Sequence, residues 1–211
     1  MKQKKKSRPR RNPFLLLVLL VLLCFVFPRL NRLFGELRVR RLALVETPAW
    51  VEVQLIPVDG ESRRGEQLRD IQNIVIHYVG NPGTTAQQNH DWYCNPESRV
   101  SSHFLVGLEG EILQCVPLDE YSSASNHRNG DTISIEVCHP DDTGRFSDAT
   151  YTSLVRLTAW LVDVCHLDTD DVIRHYDITG KECPRYYVRN EDSWHTFLEA
   201  VDKAVKEIQA P

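Results

Sequence analysis

No two cysteines in this 211-residue chain are separated by just two residues; the six stand at 24, 94, 115, 138, 165 and 183. That scatter excludes a zinc ribbon, and it is not the framework of a small disulfide scaffold. Cys94, Cys115, Cys138 and Cys165 are left either to pair outside a cell or to serve as small buried thiols. Internal repeats are absent, as is low-complexity sequence after the basic N-terminus, which excludes solenoid architectures. Uninterrupted apolar sequence is scarce too. The run from Phe14 to Phe27 has fourteen residues, a helix of roughly 21 Å where a bilayer's hydrocarbon core measures roughly 30 Å. No small-x-small cleavage site follows it, and Val21-Leu22-Leu23 offers no small residue ahead of Cys24 for lipidation. The net charge is −4, with Lys2, Lys4, Lys5, Lys6, Arg8, Arg10 and Arg11 crowded at the start and most acidic residues after Leu44. Nucleic acid is therefore not an expected partner of the folded part.

What is present divides the chain into four. Residues 1–12 read as a basic cytoplasmic N-terminus, 13–28 as an uncleaved signal-anchor, 29–48 as a basic juxtamembrane linker and 49–211 as one globular domain. Seven cations before the apolar run against five after it place the N-terminus inside. The expected product is a single-pass membrane protein, or a secreted one if the segment is cleaved. Leu30, Leu33, Phe34 and Leu37 recur at helical spacing among arginines. They leave two readings open, a helix lying on an anionic membrane surface or a disordered basic linker.

Within the domain, Val51 to Val58 alternates and contains Pro57, which predicts an edge strand. Asn73 to Val79 is apolar on both faces, the pattern of a strand covered by helices on each side. Thr84 is expected to cap a helix through Tyr93. Ser102–Val106 and Glu111–Val116 flank a glycine turn and predict a hairpin, and Thr132–Cys138 another buried strand. Ser147–Cys165 and Ser193–Ile208 are amphipathic helices separated by a short strand, Val172–His175, and a loop from Asp177 to Asn190. The sum is an α/β class fold, a mixed central β-sheet flanked by helices and preceded by a single hydrophobic anchor helix.

A lone histidine at the end of a core strand, as at His77, is more often a hydrogen-bonded structural residue than a ligand. His175 and Cys183, eight residues apart in Arg-His-Tyr-Asp-Ile-Thr-Gly-Lys-Glu-Cys-Pro, change that balance. Two strand-end histidines and a cysteine make three ligands suited to Zn²⁺ and leave a fourth position for water, the count of a catalytic rather than a structural site. Hydrolysis of an unactivated amide also needs a proton acceptor and a cation for the developing oxyanion. Glu136, a carboxylate in an otherwise apolar strand, and Lys181, between two of the ligands, are the candidates. Their bland alternatives are a buried ion pair and a solvated loop lysine.

Four segments carry a family resemblance: Ile-Val-Ile-His-Tyr, Ser-Ser-His-Phe-Leu-Val-Gly, Ser-Ile-Glu-Val-Cys-His and Arg-His-Tyr-Asp-Ile-Thr-Gly-Lys-Glu-Cys-Pro. In that order the chain resembles the zinc N-acetylmuramoyl-L-alanine amidases of the superfamily that includes peptidoglycan recognition proteins and phage lysozyme-type amidases. The resemblance implies that residues 49–211 are a monomeric peptidoglycan-cleaving domain with His77, His175 and Cys183 on zinc, Glu136 as acid/base and Lys181 on the tetrahedral intermediate. The catalytic tyrosine of the phage and recognition-protein branch is replaced here by Ser102, which points to the bacterial branch. His103 then either touches substrate or holds the sheet edge. Asp177 either orients His175 or forms an Asx turn. Asn126, His127, Arg128 and Asn129 offer contacts to sugar or stem peptide, in a groove walled by residues 81–85, 121–131 and 186–192. Two rival readings are a non-catalytic peptidoglycan-binding module and a hydrolase with Cys183 as nucleophile.

Overall fold

The computed structural model describes residues 13–58, 60–95 and 97–210. The expected cytoplasmic segment, 1–12, lies outside the described residues. The apolar run forms α1 (Pro13–Val21), widens into π turns at Leu22–Val26 and continues into α2 (Phe27–Leu42). The helix from Leu17 to Leu42 is long enough, and in its exposed apolar part hydrophobic enough, to cross a membrane by length and composition. Of the two readings left open for residues 29–48, the structure has helix as far as Leu42. Moreover, α2 is not a free tether: Gly35, Val39 and Leu42 are buried, and Val39 and Leu42 join the main core beside Leu68 and Ile71. A Cβ at Gly35 would stand 2.9 Å from the Arg69 carbonyl, so close packing demands glycine there. Arg38 Nη2 reaches Asp70 Oδ1 at 2.6 Å. The core therefore begins well before residue 49.

The sheet contains β1 (Glu52–Val53), β2 (Asn73–Tyr78), β3 (Phe104–Val106), β4 (Ile112–Gln114), β5 (Thr132–Val137) and β6 (Val172–Arg174), in the order β1-β4-β3-β5-β2-β6. β3, β5, β2 and β6 are parallel neighbours, β4 is antiparallel to β3, and β1 is parallel to β4. The expected edge strand is shorter than its alternation suggests, yet the Gln54 and Ile56 amides still donate to the Gln114 and Cys115 carbonyls before Pro57 ends the pairing.

Alternation sorts the sheet into two faces. Ile74, Ile76, Phe104, Ile133 and Ile135 face the larger core, built with α4 (Asp148–Cys165) and α7 (Glu191–Ile208). Leu105 and Leu113 face the other way and pack with Ala86 and Tyr93 of α3 (Ala86–Tyr93). Ser147 caps α4 by accepting from the Thr150 amide, as its position predicts. α3 is capped by Thr85 rather than Thr84, because Thr85 forms a reciprocal box with Gln88 while the Thr84 hydroxyl turns back to the Asn81 carbonyl. The expected loop after β6 holds two five-residue helices, α5 (His175–Thr179) and α6 (Arg185–Arg189), too short to show a periodic pattern.

Leu42→Ala is expected to destabilise the protein by about 3 kcal/mol through the cavity it leaves, whereas Leu37→Ala on the exposed side of α2 changes stability by no more than about 0.5 kcal/mol. Chemical denaturation of the two variants checks this; equal effects would show that α2 does not belong to the folded core.

Candidate active site

Parallel pairing of β2 with β5 sets His77 directly opposite Glu136. Neighbours in register project to the same face, and both project away from the α4 and α7 core, so this polar pair meets on the α3 side. His77 Nδ1 lies 3.8 Å from Glu136 Oε1. On the other flank of β2, Ile76 pairs with Arg174, which brings the next residue, His175, level with His77. The two rings stand 4.6 Å apart between centroids. α5 then turns once and closes at Gly180, whose φ of 74° is left-handed and suits glycine. The Tyr176 amide donates to the Cys183 carbonyl at 2.9 Å, folding Cys183 back over the start of the helix. One ligand atom from each of His77, His175 and Cys183 lies within 4.8 Å of the others, and all three residues are buried.

Burial pushes the His77 ring well below its ordinary pKa, and the charges of His175 and Lys181 push the same way; burial and Lys181 also lower His175. Both rings are therefore held neutral, the form that ligates metals. Burial, together with the Glu136 charge, drives the Cys183 thiol up to about 12, which is the opposite of a free nucleophilic thiolate. Burial raises Glu136 to about 8 against the opposing pull of Lys181. Its Oε2 is buried without a hydrogen-bond partner. Two neutral imidazoles, a thiol that needs a cation to ionise, and an unpartnered carboxylate oxygen fit a borderline divalent ion with one position left open.

The turn over the two rings adds what no motif announced. Ser125 Oγ stands 3.4 Å from His77 Nε2, and Asn126 Oδ1 accepts from His175 Nε2 at 2.7 Å. Asn126, expected to meet substrate, thus touches a ligand ring from a left-handed backbone position (φ 55°). His127 beside it is exposed. Arg128 and Asn129 serve the turn itself: Arg128 donates to Asp131 and Asn73, and Asn129 donates to Tyr121 Oη while accepting from the Ser125 amide.

Two further residues resolve into structural parts. Asp177 accepts from the Arg174 amide and guanidinium, so it caps α5 and does not orient the His175 ring. His103 has no exposed surface. Its Nε2 donates to the Glu120 carbonyl at 2.9 Å and its Nδ1 accepts from the Ser134 amide at 3.0 Å, which leaves no ring nitrogen for substrate. Ser102, where the related branch has a tyrosine, receives instead the hydroxyl of Tyr93 from α3 at 3.3 Å. Nothing in the spacing of Tyr93 could have signalled that meeting.

An α/β domain that gathers two histidines, a cysteine and a half-buried glutamate at the carboxyl ends of parallel strands has the make-up of a hydrolase. The chain belongs to the N-acetylmuramoyl-L-alanine amidase family, whose model matches residues 67–186. The N-acetylmuramoyl-L-alanine amidase BlyA of Bacillus subtilis (strain 168) is 30% identical over 170 residues, which cover 69% of this chain and 45% of BlyA. CwlH of the same organism is 29% identical over 161 residues, covering 73% and 62%. The solved catalytic domain of XlyA superposes with a TM-score of 0.63 at 26% identity, across 72% of this chain and 98% of that domain. The chain spans about half the length of the curated relatives it matches.

Where the cluster is loaded with Zn²⁺, Asn126→Ala, which removes the side-chain oxygen that meets His175, is expected to weaken the hold on that ion about 10–100-fold without unfolding the domain; competition against a chelator measures it, and unchanged affinity would show that the contact does not position the ring. His103 gives a second prediction. Burial holds its folded pKa at about 4 against an ordinary 6.5. Between those values the unfolded chain binds more protons, so stability falls as pH drops from 6.5 toward 4, by about 3 kcal/mol in all. His103→Gln keeps a donor and an acceptor but does not titrate. Its unfolding free energy should therefore fall less steeply than the wild type's across that window.

Proposed function

We propose that this chain is a zinc-dependent N-acetylmuramoyl-L-alanine amidase that hydrolyses the peptidoglycan amide between the N-acetylmuramoyl lactyl group and L-alanine of the stem peptide. The observation that carries the reading is the buried triad of His77, His175 and Cys183 with the Glu136 carboxylate 3.8 Å from one of its rings. We infer further that the chain works as a monomer, held by its N-terminal helix in the cell membrane with the catalytic domain toward the wall.

His77, His175 and Cys183 would hold the zinc. When bound, the ion supplies a Lewis acid that polarises a carbonyl and acidifies water. The rest falls to the chain. Burial gives Glu136 a high proton affinity, so it takes a proton from the attacking water and passes it to the departing amine of L-alanine. Lys181 is exposed beside the triad, and its charge already bears on both histidines, Cys183 and Glu136. It is placed to offset negative charge developing on the carbonyl oxygen. Ser125 and Asn126, in contact with the His77 and His175 rings, would hold those rings in place as ligands. The products are a glycan strand and a free stem peptide, with no bond to the enzyme.

Incubating the full chain with purified peptidoglycan tests the reading by the appearance of new L-alanine amino termini. Glu136→Gln should keep about one zinc and lose 10²–10⁴-fold in rate, roughly the worth of a positioned acid/base. Cys183→Ser should lose the zinc itself. A zinc-loaded wild type that binds wall material and releases no amino termini would leave the amidase assignment without support.

A further inference from the structure

α2 carries two apolar stripes. At about 100° per residue, Gly35, Val39 and Leu42 make one, packed on the domain. Leu30, Leu33, Phe34 and Leu37 make the other, on roughly the opposite side, and they are 44%, 50%, 57% and 51% exposed. A helix that forms the outer layer of a soluble domain turns a polar face to water. This one turns four large hydrophobic side chains outward.

The setting of that stripe is cationic. Arg29, Arg32, Arg38, Arg40 and Arg41 share the helix with a single carboxylate, Glu36. Arg32 pairs with Glu36 and Arg38 with Asp70, while Arg29, Arg40 and Arg41 have no carboxylate partner among the described residues. Open clefts of about 510 and 590 Å³ run along the two flanks of α2, the first lined by Arg32, Glu36, Arg40 and Arg69, the second by Phe34, Arg38, Asp70 and Asp171.

We propose that the outer face of α2 is a lipid-docking surface, seated on an anionic phospholipid bilayer as a second membrane contact beyond the apolar run that precedes it. The exposed side chains of the apolar run lead into this stripe without a break. The π turns at Leu22–Val26, followed by Pro28, supply the usual site of a bend between a segment that spans and one that lies in the interface. Leucine and phenylalanine enter the headgroup boundary, and the unpaired arginines lie alongside to meet lipid phosphates, their stems covering apolar surface. The inner stripe packs next to Leu68 and Ile71, just ahead of β2, whereas His77 lies near the far end of that strand. The lipid face and the metal site therefore sit at opposite ends of the sheet, roughly 20 Å of strand apart.

The inference rests on the N-terminal helix reaching a membrane and is independent of the reaction. To test it, the full-length Cys24→Ser protein is labelled with nitrobenzoxadiazole at Leu33→Cys, at Leu37→Cys or, as the control position, at Glu109→Cys, exposed in the turn between β3 and β4; the same protein without an added cysteine supplies the background. Each is mixed with vesicles of phosphatidylcholine alone or with one quarter phosphatidylglycerol. The expected result is blue-shifted emission at 33 and 37, quenched by lipids brominated near the headgroup, strongest with phosphatidylglycerol and absent at 109. Arg40→Gln with Arg41→Gln should remove the preference for phosphatidylglycerol. Flotation with the vesicles while positions 33 and 37 keep the emission of the control overturns the docking surface and leaves the anchor standing. Failure to float with either vesicle overturns both. Pyrene excimer emission from Leu33→Cys in sparsely loaded vesicles would place a second copy on this face, and overturns the lipid assignment as well.

Discussion

The site depends on the hydrogen-bonded register between β2 and β5. Pairing His77 with Glu136 puts a ring and a carboxylate from strands far apart in sequence on one face of the sheet. A slip of one residue would turn either side chain into the α4 and α7 core, where Ile76 or Ile135 now packs. The apolar residues that alternate with the polar ones are what prevent that slip. Ile74, Ile76, Ile133 and Ile135 are fully buried on the opposite face, and their burial fixes the direction in which His77 and Glu136 point. The metal-type cluster is then completed from a third strand whose register with β2 delivers His175 beside His77. Packing and chemistry share one set of backbone bonds.

Much of this was legible before any coordinates, and for identifiable reasons. Period-2 and period-3.6 patterns located the buried strands and the two long helices because each buries a continuous apolar face. His77, Glu136 and His175 could be singled out because polar residues toward strand ends within apolar sequence are costly without a purpose, and Cys183 because it stands eight residues after His175 across a turn. The short helices α5 and α6 were not legible, since five residues carry no period. Nor was the docking of α2, whose inner stripe is only Gly35, Val39 and Leu42, easily hidden among arginines and by the more conspicuous outer leucines.

The residues around the cluster were read least well, and each for a local reason. Asp177 stands two residues after His175 in sequence, but helical geometry turns it toward the Arg174 amide instead. His103 is a polar residue in a core position, and its two ring nitrogens are both spent on backbone groups. Ser125 and Asn126 lie in a turn whose composition resembles any solvated loop. Their contacts with the two rings arise only because Arg128, Asp131 and Asn129 brace the turn above the strand ends.

The docking of α2 also removes slack. A disordered connector over residues 29–48 would let the domain wander through a radius of roughly 25 Å around its point of attachment. With Gly35 against the Arg69 carbonyl and Arg38 clasped to Asp70, that freedom is gone. The reach of the site is then the height of the folded domain and little more. With the apolar run seated in a bilayer, the site would be carried at one height above that surface instead of sweeping a volume.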